Sequence, residues 1–149
     1  MNFDKKSPRR TPSQQRSLMT VQALEQAFVR VLMRHGDFQK IRVREVVELA
    51  GVGIGTFYDY FPNLQMLAAS ATRTRRDMLI SSLRQTMVRH ADSSLCTLID
   101  AMLDECVQTA LQQPKEWAAL LVIERQVDDL QGFQVFHLGI QQTWADAFR

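Results

Sequence analysis

Apolar residues recur at spacings of three and four along most of the chain, and no segment alternates with a period of two, so the pattern predicts helices throughout. Between Arg44 and Ala50, Val46, Val47 and Ala50 share one side of a short helix while Glu45 and Glu48 stay wet. Gly51 stops it, since a residue without Cβ takes the left-handed conformation that ends helices, and Val52 is expected to bury into the turn. Gly53 opens the next helix, which Phe57 and Phe61, four apart, should anchor inward. Pro62-Asn63 begins a long helix with Asn63 as cap, its apolar positions being Met66, Leu67, Met78, Leu79, Leu83, Met87 and Val88, toward His90. Ser93-Ser94 caps another, in which Leu95, Leu98, Ile99, Met102, Leu103, Cys106 and Ala110 form a stripe that ends at Gln112-Gln113-Pro114. A helix from Lys115 to Asp128 should bury Trp117, Leu120, Leu121 and Val127 and wet Glu116, Glu124 and Arg125. Gly132 is expected to break the chain, and the segment Phe133 to Arg149 carries Phe136, Ile140, Trp144 and Phe148 at a spacing of four. The predicted fold class is all-α.

The most specific string is Ala50-Gly51-Val52-Gly53-Ile54-Gly55-Thr56-Phe57-Tyr58-Asp59-Tyr60-Phe61, which reads as the turn and exposed second helix of a helix-turn-helix DNA reader. Gly55 keeps that helix slim enough for close approach to a DNA backbone. Ile54 offers a methyl-reading group, and Thr56, Tyr58 and Tyr60 offer hydroxyls. Asp59 is either a solvated charge or an acceptor from cytosine, and the two tyrosines have packing as their rival role. A phosphate-cradling GxGxxG loop fails twice: Thr56 stands where the last glycine belongs, and the string follows an amphipathic helix where a nucleotide loop follows a buried strand.

The same string resembles the signature of the TetR family of transcriptional repressors, Ala-Gly-Val-Ser-x-Gly-Thr-(Leu/Phe)-Tyr-x-(His/Tyr)-Phe, at every position but one. The resemblance spans roughly residues 18 to 67, with a first helix around Val21 to Arg34, a stop at Gly36, then Phe38, Ile41 and Leu67. Three departures bear on DNA affinity. Gly53 replaces a serine that caps and meets phosphate, Arg42 replaces a threonine that caps the second helix, and Leu64 replaces a phosphate-binding lysine. Arg42 and Arg44 would compensate beside the DNA backbone in the family's docking geometry.

A chain of 149 residues with 46% hydrophobic content fits one domain or a small reader fused to a helical body. The expected division is a flexible basic arm over 1–16, broken by Pro8 and Pro12, a reader over 17–62, and an effector-binding and dimerisation body over 63–149. The arm reads equally as a solvated tail or as a segment lying along phosphates or in the minor groove. No apolar h-region follows it and no run approaches a membrane span, so a soluble, cytoplasmic protein is expected. The net charge of +2 conceals a division: residues 1–90 hold 15 basic and 7 acidic residues, residues 91–149 hold 3 and 9. The positive half is the one expected to face phosphates. Arg73, Arg75, Arg76, Arg84 and Arg89 read as solvated helix faces.

No constellation calls for catalysis, a metal or a cofactor. His35, His90 and His137 are scattered, and Cys96 and Cys106 lie about 15 Å apart by helical rise. Asp100, Asp104 and Glu105 read as a solvated edge, so an enzyme is not expected. The resemblance implies an operator-binding homodimer, a repressor released by a small-molecule effector held in the body. Met102, Cys106, Trp117, Leu121, Phe133, Phe136 and His137 are the candidates for that pocket, with plain core as their rival role. The family commonly adds two long interface helices, whereas this sequence reaches Phe148-Arg149 without a helix stop and looks cut short. If it is complete, the stripe Phe136, Ile140, Trp144 and Phe148 is the expected pairing surface; if it is truncated, the stripe is expected to be partly orphaned, giving a weak dimer or aggregation, and some self-association through this helix is expected. The rival to the whole reading is a helical ligand-binding or scaffold protein whose DNA affinity has been weakened.

Overall fold

The structure is a computed structural model that describes residues 12–127 and 130–148. Seven α-helices and one 3-10 turn make up the described chain, with no strand: α1 (Pro12–His35), the turn Phe38–Lys40, α2 (Val43–Ala50), α3 (Ile54–Tyr60), α4 (Leu64–Arg89), α5 (Leu95–Gln112), α6 (Pro114–Val127) and α7 (Leu130–Ala147). The all-α expectation holds.

Helix α1 is longer than expected at both ends. Residues 12–16, read as part of an arm, are helical, because proline is tolerated at the first helical position, where its missing N–H has no partner to lose. Residues 1–11 of the expected arm lie outside the described residues. Leu24, Ala27, Phe28, Val31 and Leu32 are buried at helical spacing, each of the larger ones contributing about 1.5–3 kcal/mol of apolar burial. Gly36, at φ 63°, ends the helix with its N–H donating to the Leu32 carbonyl at 2.8 Å. Phe38 then packs edge-on against Phe28, ring centroids 6.1 Å apart, and Ile41 is buried.

One core cluster joins what the sequence divided at residue 62. It takes Leu24 to Leu32 from α1, Val46 and Val47 from α2, Phe57 and Phe61, Leu67, Ala68 and Ala71 from α4, and also Leu120 and Ile123 from α6. A second, smaller cluster is built by Leu83, Leu98 and Met102, with Leu79, Met87, Cys106, Ile140, Trp144 and Ala147 against it. Helix α7 comes close to α4 at Gly139, where a Cβ would lie 2.9 Å from Ile80 Cδ1.

Several expectations for the body are corrected. Gly132 lies in the first turn of α7, whose start at Leu130 precedes it, where a glycine does not interrupt the helix. Ile140 and Trp144 face the chain's own second cluster, so the stripe proposed as a pairing surface is largely spent on α4 and α5, and only Phe148 of its four members is exposed. The α5 stripe is narrower than read: Leu98 and Met102 are buried, while Leu95 and Leu103 sit on its flank in solvent. On α6, Leu121 is exposed and Ile123 takes the buried place assigned to it. Glu116 and Glu124 are not wet, because they turn toward Arg75 and Arg76 of α4 and form ion pairs with them. Those two arginines therefore do not belong to a solvated face. Arg76 is 6% exposed, its guanidinium also 5.1 Å from the Phe136 ring, and Arg75 lies 5.9 Å over Trp117.

Glu105 also leaves the solvated edge on which it was placed. Its carboxylate accepts from Ser82, from Thr86 at 3.2 Å and from Thr109 at 3.4 Å, and pairs with Arg89 at 3.5 Å, locking α5 to α4. The Ser82 hydrogen bond first, then those from Thr86 and Thr109 and the Arg89 charge, outweigh desolvation and hold its carboxyl below the usual carboxylate range. Burial, with the Glu105 charge beside it, pushes the Cys106 thiol up, as suits a reduced core thiol.

Candidate nucleic-acid interface

Helix α2 starts without the hydroxyl cap that a threonine would supply. Arg42, in extended conformation at the N-cap, carries only donors, so its side chain cannot accept from the helix N–H groups. The return half of the capping arrangement survives: Glu45 accepts the Arg42 backbone N–H at 3.2 Å. Glu45 also accepts from His35 Nε2 at 3.0 Å, which ties the end of α1 to the first turn of α2. The His35 hydrogen bond first, then the Arg42 N–H and the charges of His35 and Arg34, overcome desolvation and place the Glu45 carboxyl below its usual range. Glu45 is thus half-buried and bonded, not simply wet. Glu48 remains exposed.

The turn forms as read. Gly51 sits at φ 70°, ψ 29°, its N–H reaching the Glu48 carbonyl at 3.3 Å, and the Val52 N–H closes the motif on the Val47 carbonyl at 3.1 Å. Val52 packs against the core. Gly53 is the N-cap of α3 and lends no side-chain hydrogen bond. Phe57 is fully buried and Phe61 nearly so, with centroids 6.1 Å apart, so these two rings fix the orientation of α3.

The opposite side of α3 is open. Ile54, Gly55, Tyr58, Asp59 and Tyr60 are exposed and Thr56 is half-buried. A Cβ at Gly55 would meet nothing within 4 Å, so no packing within the chain requires glycine there. Tyr58 stands edge-on to Phe57 at 5.1 Å, which stiffens it while its hydroxyl stays outside. Tyr60 is placed differently: its hydroxyl is 2.8 Å from Ser17 Oγ of α1, so part of its polar capacity is spent inside the chain. Arg44 is exposed. Arg42 is exposed too, yet one guanidinium nitrogen folds back to donate to the Gln39 carbonyl at 2.8 Å and the Ile41 carbonyl at 3.2 Å. That local use was not legible in the sequence. Leu64 is half-buried against the core, which explains an apolar residue at that position. Asn63 caps α4 as expected, Oδ1 accepting from the Met66 N–H at 2.9 Å.

The seven residues proposed to line an effector pocket do not gather. Met102 and Cys106 belong to the second core cluster, Leu121 is exposed, and Phe133 stacks on His137 at 4.9 Å on the outside of α7. Trp117 donates from Nε1 to the Thr109 carbonyl at 3.0 Å, and Phe136 borders a cleft of 660 Å³ between α4 and α7. A second cleft of 480 Å³ runs between α1, α4 and α6 and uses none of the seven. Sequence periodicity identified apolar positions without telling which pairs of helices leave space between them.

An all-helical chain whose second and third helices form a glycine-turned helix-turn-helix, joined by a long fourth helix to a helical body, is a defined architecture. No family model matches the sequence, and no curated protein matches it. Among solved structures, the crystal structure of a TetR family transcription regulator from Marinobacter aquaeolei VT8 is similar, with a TM-score of 0.76, at 16% identity, over 89% of this chain and 68% of that one. The chain has the fold of that TetR family regulator. No described helix is long and apolar enough to cross a membrane.

Proposed function

We propose that the chain is a transcription regulator of TetR type that reads operator DNA with α3. In this reading it is a cytoplasmic, dimeric repressor released by a small-molecule effector. The observation that carries it is the two-sidedness of α3: Phe57 and Phe61 are sunk in the core, while Ile54, Gly55 and Asp59 stand in solvent and Tyr58, its ring held against Phe57, keeps its hydroxyl outside. A helix held by one side and slim on the other is what major-groove docking uses. Supporting it, 15 of the 18 basic residues lie in the first 90 positions.

One observation favours the rival reading of a helical ligand-binding protein with weakened DNA affinity. The Arg42 guanidinium, one of the two groups expected to compensate at the DNA backbone, is engaged with backbone carbonyls, and Gly53 offers no hydroxyl to a phosphate. Titration with random duplex separates the two. A regulator making six or more phosphate contacts loses about a thousandfold in affinity between roughly 50 and 200 mM salt, and selection from genomic fragments then recovers a two-fold-symmetric site. Duplex binding that is absent at low salt, or insensitive to salt, overturns the regulator reading.

A further inference from the structure

The cleft between α1, α4 and α6 contains a charge that the fold leaves uncompensated. Glu25 of α1 borders this cleft although the residue is only 6% exposed. Its carboxylate accepts from the Ser70 hydroxyl at 2.6 Å and the Thr74 hydroxyl at 3.2 Å, both on α4. Among the described residues it makes no ion pair, whereas the buried Arg76 and the half-buried Arg75 each have a carboxylate. Two neutral hydroxyls orient a carboxylate without balancing its charge, and a carboxylate removed from bulk water favours an opposite charge beside it. The other charges lining the cleft are Arg30, which is exposed, and the Arg75–Glu116 pair, which is neutral overall.

From these features we infer that the cleft is a binding site for a small organic cation, with an ammonium group against Glu25. Val29, Ala71, Met78 and Leu120 supply apolar wall for the ligand's carbon skeleton, and the side-chain amides of Gln22 and Gln26 supply further polar partners. A volume of 480 Å³ is within the range of small-molecule sites. In naming the chemistry of an effector the inference rests on the regulator reading. The location gives the effector leverage: one wall is α1, which carries the core of the reader, and another is α6 of the body.

The test uses the DNA-free full chain, titrated calorimetrically and melted with hexylammonium chloride or, at equal ionic strength, sodium hexanoate. Hexylammonium should bind saturably, one per chain, and raise Tm, while hexanoate does neither. Glu25→Gln, which keeps shape and hydrogen-bonding capacity but removes the charge, should bind hexylammonium at least tenfold more weakly. Should that variant fail to fold, Met78→Lys decides, since Met78 is exposed and a lysine there sets a competing ammonium at the cleft. Absence of saturable binding to the wild type, equal response to hexanoate, or wild-type affinity in the folded variants overturns the site. Because no DNA is present, failure here leaves operator binding untouched, and failure to bind duplex leaves this titration untouched.

Discussion

Gly55→Ala should move stability and DNA affinity in opposite directions, which makes it the sharpest probe of α3. The helix has seven residues, Gly55 is its second, and its φ is not in the left-handed region, which glycine occupies only at Gly36 and Gly51 among the described residues. An added methyl meets no atom within 4 Å, so nothing in the free chain opposes it. Replacing a helical glycine by alanine then stabilises the fold by about 0.5–1 kcal/mol, through the smaller loss of backbone entropy on folding. In the proposed complex the same methyl would occupy the space through which α3 approaches the duplex. Overpacking a close-fitted contact costs about 1–3 kcal/mol, which is roughly a 5- to 150-fold loss of affinity. Urea unfolding of the free protein reads the first quantity, and fluorescence anisotropy with the selected duplex reads the second. A more stable variant that binds DNA as tightly as the wild type would refute the reasoning, because the open side of α3 would then not face the duplex. A less stable variant would refute the geometry itself.

Gly53→Ser should raise stability by about 0.5–1 kcal/mol in the same urea assay, since φ −74° and ψ 153° suit any residue, the new Cβ would meet only Thr56 Oγ1 at 3.9 Å, and a hydroxyl would then cap α3. Tyr58→Ala should weaken binding to all duplexes, whereas Ile54→Ala should blunt preference among them, at roughly 1–3 kcal/mol per lost base contact; unchanged binding in both folded variants counts against α3 as the reader. Glu105→Gln should cost about 1–2 kcal/mol near neutral pH. Because its folded-state pKa is lowered, the wild-type advantage is present above the ordinary carboxylate range and is lost as pH falls through the folded-state value, so the two urea midpoints converge in acid; a gap that widens in acid contradicts the assignment. Trp144→Glu should lower Tm of the body by placing a charge against Leu83 and Met102, and a variant that keeps its Tm while only its sedimentation changes would return Trp144 to a pairing surface.

Local chemistry was readable where one residue decides the backbone. Gly36 and Gly51 both adopt positive φ at the helix ends assigned to them, and Asn63 and Ser94 both cap the helices that follow. Phe57 and Phe61, spaced four apart beside glycines and hydroxyls, could only face one way. What sequence could not supply was the partner of each amphipathic face. Glu116 and Glu124 look like solvent residues until α6 is laid across α4, where Arg75 and Arg76 are waiting. Trp144 and Ile140 look like a free stripe until α7 is laid along α4, against the cluster of Leu83, Leu98 and Met102. Gly132 and Gly139 have the same composition signal as Gly36, yet one sits in the first turn of α7 and the other admits Ile80. Glu25 is least legible of all, an acidic residue on a helix whose neighbours in sequence give no reason for it to be buried.

In the proposed regulator, the helix-turn-helix and the helical body must communicate. Two domains divided at Pro62 would need a signal to pass along α4 alone. Here Leu120 and Ile123 of α6 sit in one cluster with Phe28 and Leu32 of α1, and Val46, Val47 and Phe57 are in that cluster as well. A packed core has few intermediate arrangements, so a displacement of α6 is passed to α1, and through it to the helices that carry Ile54 and Tyr58. The ion pairs Arg75–Glu116 and Arg76–Glu124 add a second, polar connection between α4 and α6 on the way. Rotation of α3 as a rigid extension of α1 and α6 therefore demands less of the fold than a hinge at residue 62. Under the proposed function, substitutions at Leu120 or Ile123, far along the chain from the glycine turn, would act on α3 by the same route.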